Sequence, residues 1–139
     1  PIPNNPDKLG YQVVVDENED IVDELPYSLL SGIDRSLEQV QEKVKSLNGI
    51  FIPAHIDRPT FSITSQLGFV PPDLNPDLFE ISKFCSTQKI LKQYPYISKY
   101  KIVQDSDAHF IDDVGAVCNV FEMNELSFQS IKNYLCGIC

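Results

Sequence analysis

The sequence has no tryptophan, one methionine, two histidines and far fewer basic than acidic residues. Its 11 lysines and arginines stand against 20 aspartates and glutamates, and the resulting net charge of −9 repels nucleic-acid phosphates. No apolar run approaches the roughly 18 residues that a membrane-spanning helix needs, so we expect no membrane association. The first five residues have neither the basic nor the apolar character of a signal peptide.

What the chain does contain is typical of a folded protein. Apolar side chains make up 42% of its 139 residues, which is near the globular average and enough for a sizeable core. The length alone is typical of one domain. The first residue is nevertheless Pro1 and the one methionine is Met123, so we expect a fragment of a longer translation product.

Four cysteines occur, and the last two have a C-x-x-C spacing. That spacing is found in redox pairs and in half of a zinc knuckle, but a second pair at matching spacing is absent. A chain with this much core does not need a disulfide scaffold, so we interpret the cysteines as reduced thiols of a cytoplasmic protein. A redox or metal role for Cys136 and Cys139 is the alternative.

Residues 1–35 are predicted to form an irregular segment followed by a peripheral β-hairpin. The first ten residues are rich in proline and asparagine. The apolar residues of Tyr11–Val22 flank an acidic turn at Asp16–Asp20, and this pattern favours a hairpin. We interpret this part of the chain as an inserted subdomain or a lid.

The clearest helix prediction covers Leu37–Leu47. Ser36 and Gln39 have the spacing of a capping box, and Asn48-Gly49 is a typical helix end. Apolar residues within the segment recur on one face, as expected for an amphipathic helix: Leu37, Val40, Val44 and Leu47.

Helices and short apolar strands then alternate along the chain. The run Ile50–Ala54 is typical of a strand buried on both faces, as in a parallel sheet. This alternation predicts an α/β fold with right-handed crossovers. The further strands are predicted at Leu78–Ser82, Tyr100–Gln104 and Val117–Phe121, and the further helices at Thr87–Tyr94 and Phe128–Leu135.

Both histidines follow predicted strands, where α/β folds gather their chemistry. His55 ends one strand, and Asp107 and His109 follow another with side chains on the same side if extended. One carboxylate and two imidazoles are ligands suited to Zn²⁺, Mn²⁺ or Fe, although hydrogen-bonded strand ends explain them equally well. Arg58 offers the paired donors of a phosphate clamp, or it pairs with Asp57 or another surface acid.

Four segments resemble, in order and spacing, the C-terminal half of the PHP (polymerase and histidinol phosphatase) superfamily. The resemblance covers about residues 36 to 121 and is closest to stand-alone bacterial PHP-domain phosphoesterases. The segments are Ile52-Pro53-Ala54-His55-Ile56-Asp57-Arg58-Pro59, Leu67-Gly68-Phe69, Phe79-Glu80-Ile81-Ser82 and Ser106-Asp107-Ala108-His109.

This resemblance implies a distorted (β/α)7 barrel with parallel strands, of which residues 36–139 are the C-terminal portion. It also implies up to three divalent ions (Zn, Mn or Fe) that hydrolyse a phosphate ester of a small molecule or nucleotide. His55, Asp107 and His109 correspond to metal ligands, the last two with catalytic roles. Arg58 and Glu80 correspond to positions that meet the substrate.

The family's early motifs, including His-x-His on the first strand, are absent here. We therefore expect a missing N-terminal half, and expect the fragment alone to bind metal poorly and to be inactive. Unpaired sheet edges in such a fragment predict self-association. The alternative is a non-catalytic PHP-like module that acts in protein contacts or regulation.

Overall fold

The computed structural model describes residues 2–30 and 32–137, and the chain divides into two compact units, Pro1–Ser36 and Leu37–Cys139. Cys139, one half of the C-x-x-C pair, lies outside the described residues. Within the described ranges, no helix combines the length and the apolar character needed to cross a membrane.

The first unit contains α1 (Pro6–Leu9) and an antiparallel pair of strands, β1 (Val13–Val15) and β2 (Ile21–Glu24). The hairpin predicted over Tyr11–Val22 is therefore confirmed. Its turn is stabilised by Asp16, whose carboxylate accepts hydrogen bonds from the N–H groups of Asn18 at 2.8 Å and Asp20 at 3.0 Å. These hydrogen bonds lower the pKa of the Asp16 carboxyl.

The helices of the second unit largely match the sequence prediction. Ser86 and Ser127 cap two of them, because their hydroxyls accept from the N–H groups of Lys89 and Ser130. Of the four α-helices among the described residues of this unit, three were predicted and α3 was not. The helices are α2 (Leu37–Ser46), α3 (Ile63–Leu67), α4 (Thr87–Gln93) and α5 (Phe128–Cys136), with 3₁₀ turns at Pro95–Lys99 and Ile111–Asp113.

The end of α2 depends on a close backbone approach at Gly49. A Cβ at this position would lie 2.8 Å from Val44 Cγ1 and 3.1 Å from the Val44 carbonyl oxygen. Any larger residue would collide there, and Asn48 adopts a positive φ of 59° to turn the chain. The predicted stop at Asn48-Gly49 is confirmed.

The predicted barrel is wrong. In the described residues the second unit contains one parallel pair, β3 (Leu78–Ile81) and β4 (Lys101–Gln104), with Leu78 opposite Lys101 and Ile81 opposite Gln104. With the β1–β2 hairpin, this makes two separate two-stranded sheets, and neither closes on itself. A (β/α)7 barrel needs more parallel strands than this, and two predicted strands do not form.

The segment predicted as a strand at Ile50–Ala54 lies beside β3 but does not form a regular ladder. The carbonyls of Phe51 and Pro53 accept from the N–H groups of Asp77 at 3.0 Å and Glu80 at 3.2 Å. Pro53 has no N–H to donate in return, so the alternation of hydrogen bonds is interrupted there. The pairing resumes only at Ile56, whose N–H donates to the Glu80 carbonyl at 2.9 Å.

The predicted strand Val117–Phe121 is replaced by a side-chain contact. The Asn119 amide accepts from the Gln104 N–H at 3.2 Å and donates to the Gln104 carbonyl at 2.9 Å. One side chain thus satisfies the backbone groups at the end of β4 that a neighbouring strand would otherwise pair. The sheet consequently stops at two strands on this side.

Both faces of β3 are covered by apolar side chains. Phe79 and Ile81 belong to a main cluster, against which the apolar face of α2 packs. Leu78, on the other face, packs with Val103 of β4 and Leu135 of α5. Because β3 and β4 run parallel, the polar residues that follow both strands lie together at the carboxyl edge of the sheet.

Candidate functional site

Two distant segments meet at the carboxyl edge of the β3–β4 sheet. Arg58 Nη1 lies 2.6 Å from Asp107 Oδ2, although the two residues are 49 positions apart in sequence. Each side chain is 35% exposed, so the pair remains accessible to solvent. Of the partners considered for Arg58, the structure selects Asp107 and not the adjacent Asp57.

The backbone is strained at two of the predicted site residues. His55 has a φ of 28° and Asp107 a φ of 47°, in the left-handed region that non-glycine residues seldom adopt. Such conformations cost about 1–3 kcal/mol and persist only where the surroundings enforce them. They are found preferentially at binding and catalytic sites, although Glu19, Asn48 and Phe61 also have a positive φ in this chain.

His55 and Glu80 form the more buried part of this edge. His55 Nδ1 is buried and has no hydrogen-bond partner. Burial raises the pKa of the Glu80 carboxyl, and the negative charges of Asp105 and Asp107 add to this effect. A backbone hydrogen bond from His55 and the charge of its ring oppose it. The charges of His55, Asp105 and Asp107 therefore all act on the Glu80 carboxyl.

His109 lies at the exposed side of the site, where its Nδ1 is 2.9 Å from the Asp107 carbonyl oxygen. In the ranges 2–30 and 32–137, no three His, Cys, Asp or Glu side chains are grouped so that they could hold a metal ion. His55 offers an unpaired nitrogen, but the Asp107 carboxylate is engaged by Arg58. The predicted ligands thus provide suitable donor atoms without completing a coordination shell, which needs three or four ligands.

A hydrogen-bond network that the sequence analysis missed holds the loops of the site. The two Asp57 carboxylate oxygens accept from the Ser82 N–H and hydroxyl, each at 2.6 Å. The Gln104 side chain donates to the carbonyls of Ser82 at 2.7 Å and Cys85 at 2.8 Å. Ser82 is only 6% exposed, so this network fixes the loop after β3 to the loop that carries His55.

The same loop is held from its other side by the start of α3. The Ser62 hydroxyl donates to the Arg58 carbonyl at 2.7 Å, and the Thr64 hydroxyl donates to the Ile56 carbonyl at 2.5 Å. Serines and threonines in loops are common, and their partners depend on the fold. The sequence carried a local signal for α3 itself in Ser62 and Ser65, whose side chains form a capping box.

A cleft of about 460 Å³ opens beside the Arg58–Asp107 pair. It contains two cationic groups, and Lys83 Nζ lies 3.9 Å from Asp113 Oδ1 at its rim. Each of these two cations lies beside a carboxylate of the same lining, so an anion bound in the cleft would have to compete with Asp107 or Asp113. The lining residues are Arg58, Ser82, Lys83, Phe84, Asp107, His109, Phe110 and Asp113.

The comparisons with known proteins identify one distant relative. No protein-family model matches the chain, and no solved structure matches it. The chain is 32% identical over 96 residues to the uncharacterized protein YqxK of Bacillus subtilis, an alignment that covers 66% of this chain. It covers 23% of the relative, so the chain spans about a quarter of that protein's length.

Proposed function

We propose that this chain is part of a metal-dependent phosphoesterase of the PHP type, which hydrolyses a phosphate ester of a small molecule or nucleotide. The observation that supports the proposal is the Arg58–Asp107 contact at 2.6 Å. It brings together the two segments that carry the strongest resemblance to the superfamily, 52–59 and 106–109. The two residues are 49 positions apart, so their contact is a result of the tertiary structure and not of closeness in sequence.

In this proposal the residues of the chain have distinct tasks. His55, Asp107 and His109 would hold divalent ions, which when bound activate water and stabilise charge on a phosphoryl group. The Arg58 guanidinium would bind phosphate oxygens through two parallel donors. Glu80 would line the substrate site.

The described residues do not supply a complete metal shell, so further ligands have to come from elsewhere in the parent protein. For the isolated chain we accordingly expect weak metal binding and no turnover.

A cytoplasmic location is part of the proposal. It is supported by Cys85, Cys118 and Cys136, which are free thiols, as is typical of a reducing compartment.

The test uses the parent protein that contains this chain, with added Mn²⁺ or Zn²⁺ and an aryl phosphate or a small nucleotide as substrate. We expect Asp107→Asn and His109→Ala to reduce turnover by at least about 100-fold while the circular dichroism spectrum is unchanged. Asp112→Asn is the matched control, since Asp112 is an exposed acid outside the cleft lining. Unchanged turnover in both site variants would contradict the proposal.

A second candidate function is a non-catalytic module for protein contacts or regulation. The observation that favours it is that the described residues contain no three-ligand group. Equilibrium dialysis of the parent protein with Mn²⁺ or Zn²⁺ distinguishes the two functions. Bound metal that is lost in Asp107→Asn supports the phosphoesterase, whereas a parent protein that binds no metal and has no turnover supports the module.

A further inference from the structure

A second cleft, of about 360 Å³, lies at the opposite, amino edge of the β3–β4 sheet. Asp77, which precedes β3, and Lys101, which starts β4, both line it. Lys45 of α2 and Lys99 of the preceding 3₁₀ turn complete a group of three lysines around this cleft. Three lysines thus line one cleft on a chain whose net charge is −9.

The described contacts of these lysines are with neutral groups. Lys45 Nζ donates to the Asn75 carbonyl at 2.6 Å. Lys101 Nζ donates to the Tyr134 carbonyl and lies 4.4 Å from the centroid of that ring, while Lys99 Nζ lies 4.9 Å from the ring of Tyr100. Arg58 and Lys83, at the other edge, are by contrast paired with carboxylates. The positive charge of the amino-edge cleft is consequently left available for an external anion.

The one acid among the described residues of the cleft lining, Asp77, offsets only part of this charge, because one carboxylate stands against three lysines. Asp77 Oδ2 accepts from the Phe51 N–H at 2.7 Å, and Asp77 Oδ1 is 3.6 Å from Cys136 Sγ, which donates to it. Both of its oxygens are therefore engaged by neutral donors. Lys132 adds to the positive field, since its charge and that of Lys101 both act on the Cys136 thiol.

We propose that the amino-edge cleft is a binding site for a tetrahedral phosphate-type oxyanion, either free phosphate or the phosphate group of a small ligand. Lysines from three elements line this cleft, which suits an anion that carries more than one charge and accepts hydrogen bonds in several directions. The cleft lies at the other edge of the sheet from Arg58 and Asp107. The proposal therefore holds or fails independently of the phosphoesterase proposal.

Lysine acetylation followed by peptide mass spectrometry tests this site residue by residue. We expect millimolar inorganic phosphate to protect Lys45, Lys99 and Lys101 from acetylation, and to leave the exposed Lys43 and Lys92 unprotected. Sulfate protects the same three lysines if the shape of the anion suffices, and a small phosphomonoester protects them more strongly if the site recognises an organic phosphate. Chloride at matched ionic strength serves as the screening control.

Titration of inorganic phosphate into variants measures the contributions of Lys45 and Lys99. All variants carry Arg58→Gln, so that the candidate catalytic cleft does not contribute. We expect Lys45→Gln and Lys99→Gln each to weaken phosphate binding by about two- to fivefold, the range for exposed charge pairs. Lys43→Gln, two residues from Lys45 in α2, and Lys92→Gln in α4 are the matched controls and should have no effect.

Three results would overturn the proposal. The first is equal protection of all five lysines, which would indicate a general screening effect. The second is equal weakening by the cleft and control variants. The third is an absence of phosphate binding in the Arg58→Gln protein with an intact lysine cleft.

Discussion

Arg58 and Asp107 form an ion pair of 2.6 Å, so one nitrogen of the guanidinium proposed to bind substrate phosphate already contacts an internal carboxylate. Phosphate therefore has to compete with Asp107 for this nitrogen. Because both side chains are 35% exposed, the pair contributes at most about 1 kcal/mol, and a ligand can displace it.

This competition predicts that Asp107→Asn strengthens phosphate binding at Arg58 in metal-free protein by about two- to fivefold. The measurement is protection of Arg58 from phenylglyoxal, read by mass spectrometry as phosphate is titrated. Asp112→Asn removes the same charge outside the cleft lining and should leave the midpoint of the phosphate titration unchanged. An unchanged midpoint in Asp107→Asn would mean that the carboxylate does not compete.

The Asp57–Ser82 contact predicts a large loss of stability on truncation. Asp57→Ala leaves the N–H and the hydroxyl of a serine that is 6% exposed without their acceptor, which costs about 1–3 kcal/mol. Urea denaturation monitored by circular dichroism measures this change. Asp73→Ala, at an exposed position, should change stability by no more than about 0.5 kcal/mol. Equal effects of the two variants would refute the proposed role of the contact.

Glu80 predicts a dependence of stability on pH. Its folded pKa is raised above 4.5 by burial, so its stabilising contribution is fully present below the unfolded pKa and is lost as the pH rises through the folded value. Glu80→Gln should therefore gain stability relative to the wild type as the pH rises, by at most about 1 kcal/mol since the side chain is partly exposed. Glu42→Gln, on the exposed surface of α2, is the control. A difference independent of pH would contradict this prediction, which urea denaturation over a pH series checks.

The thiols are predicted to react with iodoacetamide in a fixed order. Cys118 is exposed and should react first, whereas burial raises the pKa values of Cys136 and Cys85 and reduces their thiolate fractions. Asp77 also raises the pKa of Cys136, so Asp77→Asn should accelerate its labelling severalfold. Peptide mass spectrometry over time measures each rate, with Cys85 as the internal reference. A Cys136 rate unaffected by Asp77→Asn would exclude the electrostatic contribution.

Self-association of the isolated chain stays a prediction, and the β1–β2 hairpin suggests where to test it. Val15 and Ile21 are cross-strand partners that are 50% and 68% exposed. We expect Val15→Thr/Ile21→Thr to reduce association in sedimentation velocity, because it removes apolar surface and retains β-branched residues. Leu126→Thr, at a position that is 88% exposed in the second unit, is the comparison. A wild-type chain that is monomeric at all concentrations would refute the prediction.

The helices illustrate what local sequence is able to determine. Ser86 and Ser127 lie directly before α4 and α5 and cap them, and the apolar stripe of α2 faces the core. Caps and helical periodicity act over a few residues, so they can be identified without the tertiary structure. The strand predictions were less accurate, because strand pairing depends on contacts between residues that are distant in sequence. Pro53 already indicates from the sequence that a ladder would be interrupted, but nothing local indicates that an Asn119 side chain replaces a strand.

For the candidate site, the sequence alone determined the types of residue that follow the strands: an imidazole, a guanidinium and carboxylates. Only the tertiary structure decided which of them meet. Arg58 pairs with Asp107, 49 residues away, and the adjacent Asp57 binds Ser82 instead. Polar side chains bind whatever partner the packing of the core brings within about 3 Å, and sequence distance does not limit that choice. The parallel pairing of β3 with β4 brings these loops to one edge, and it is therefore this long-range contact that creates the site.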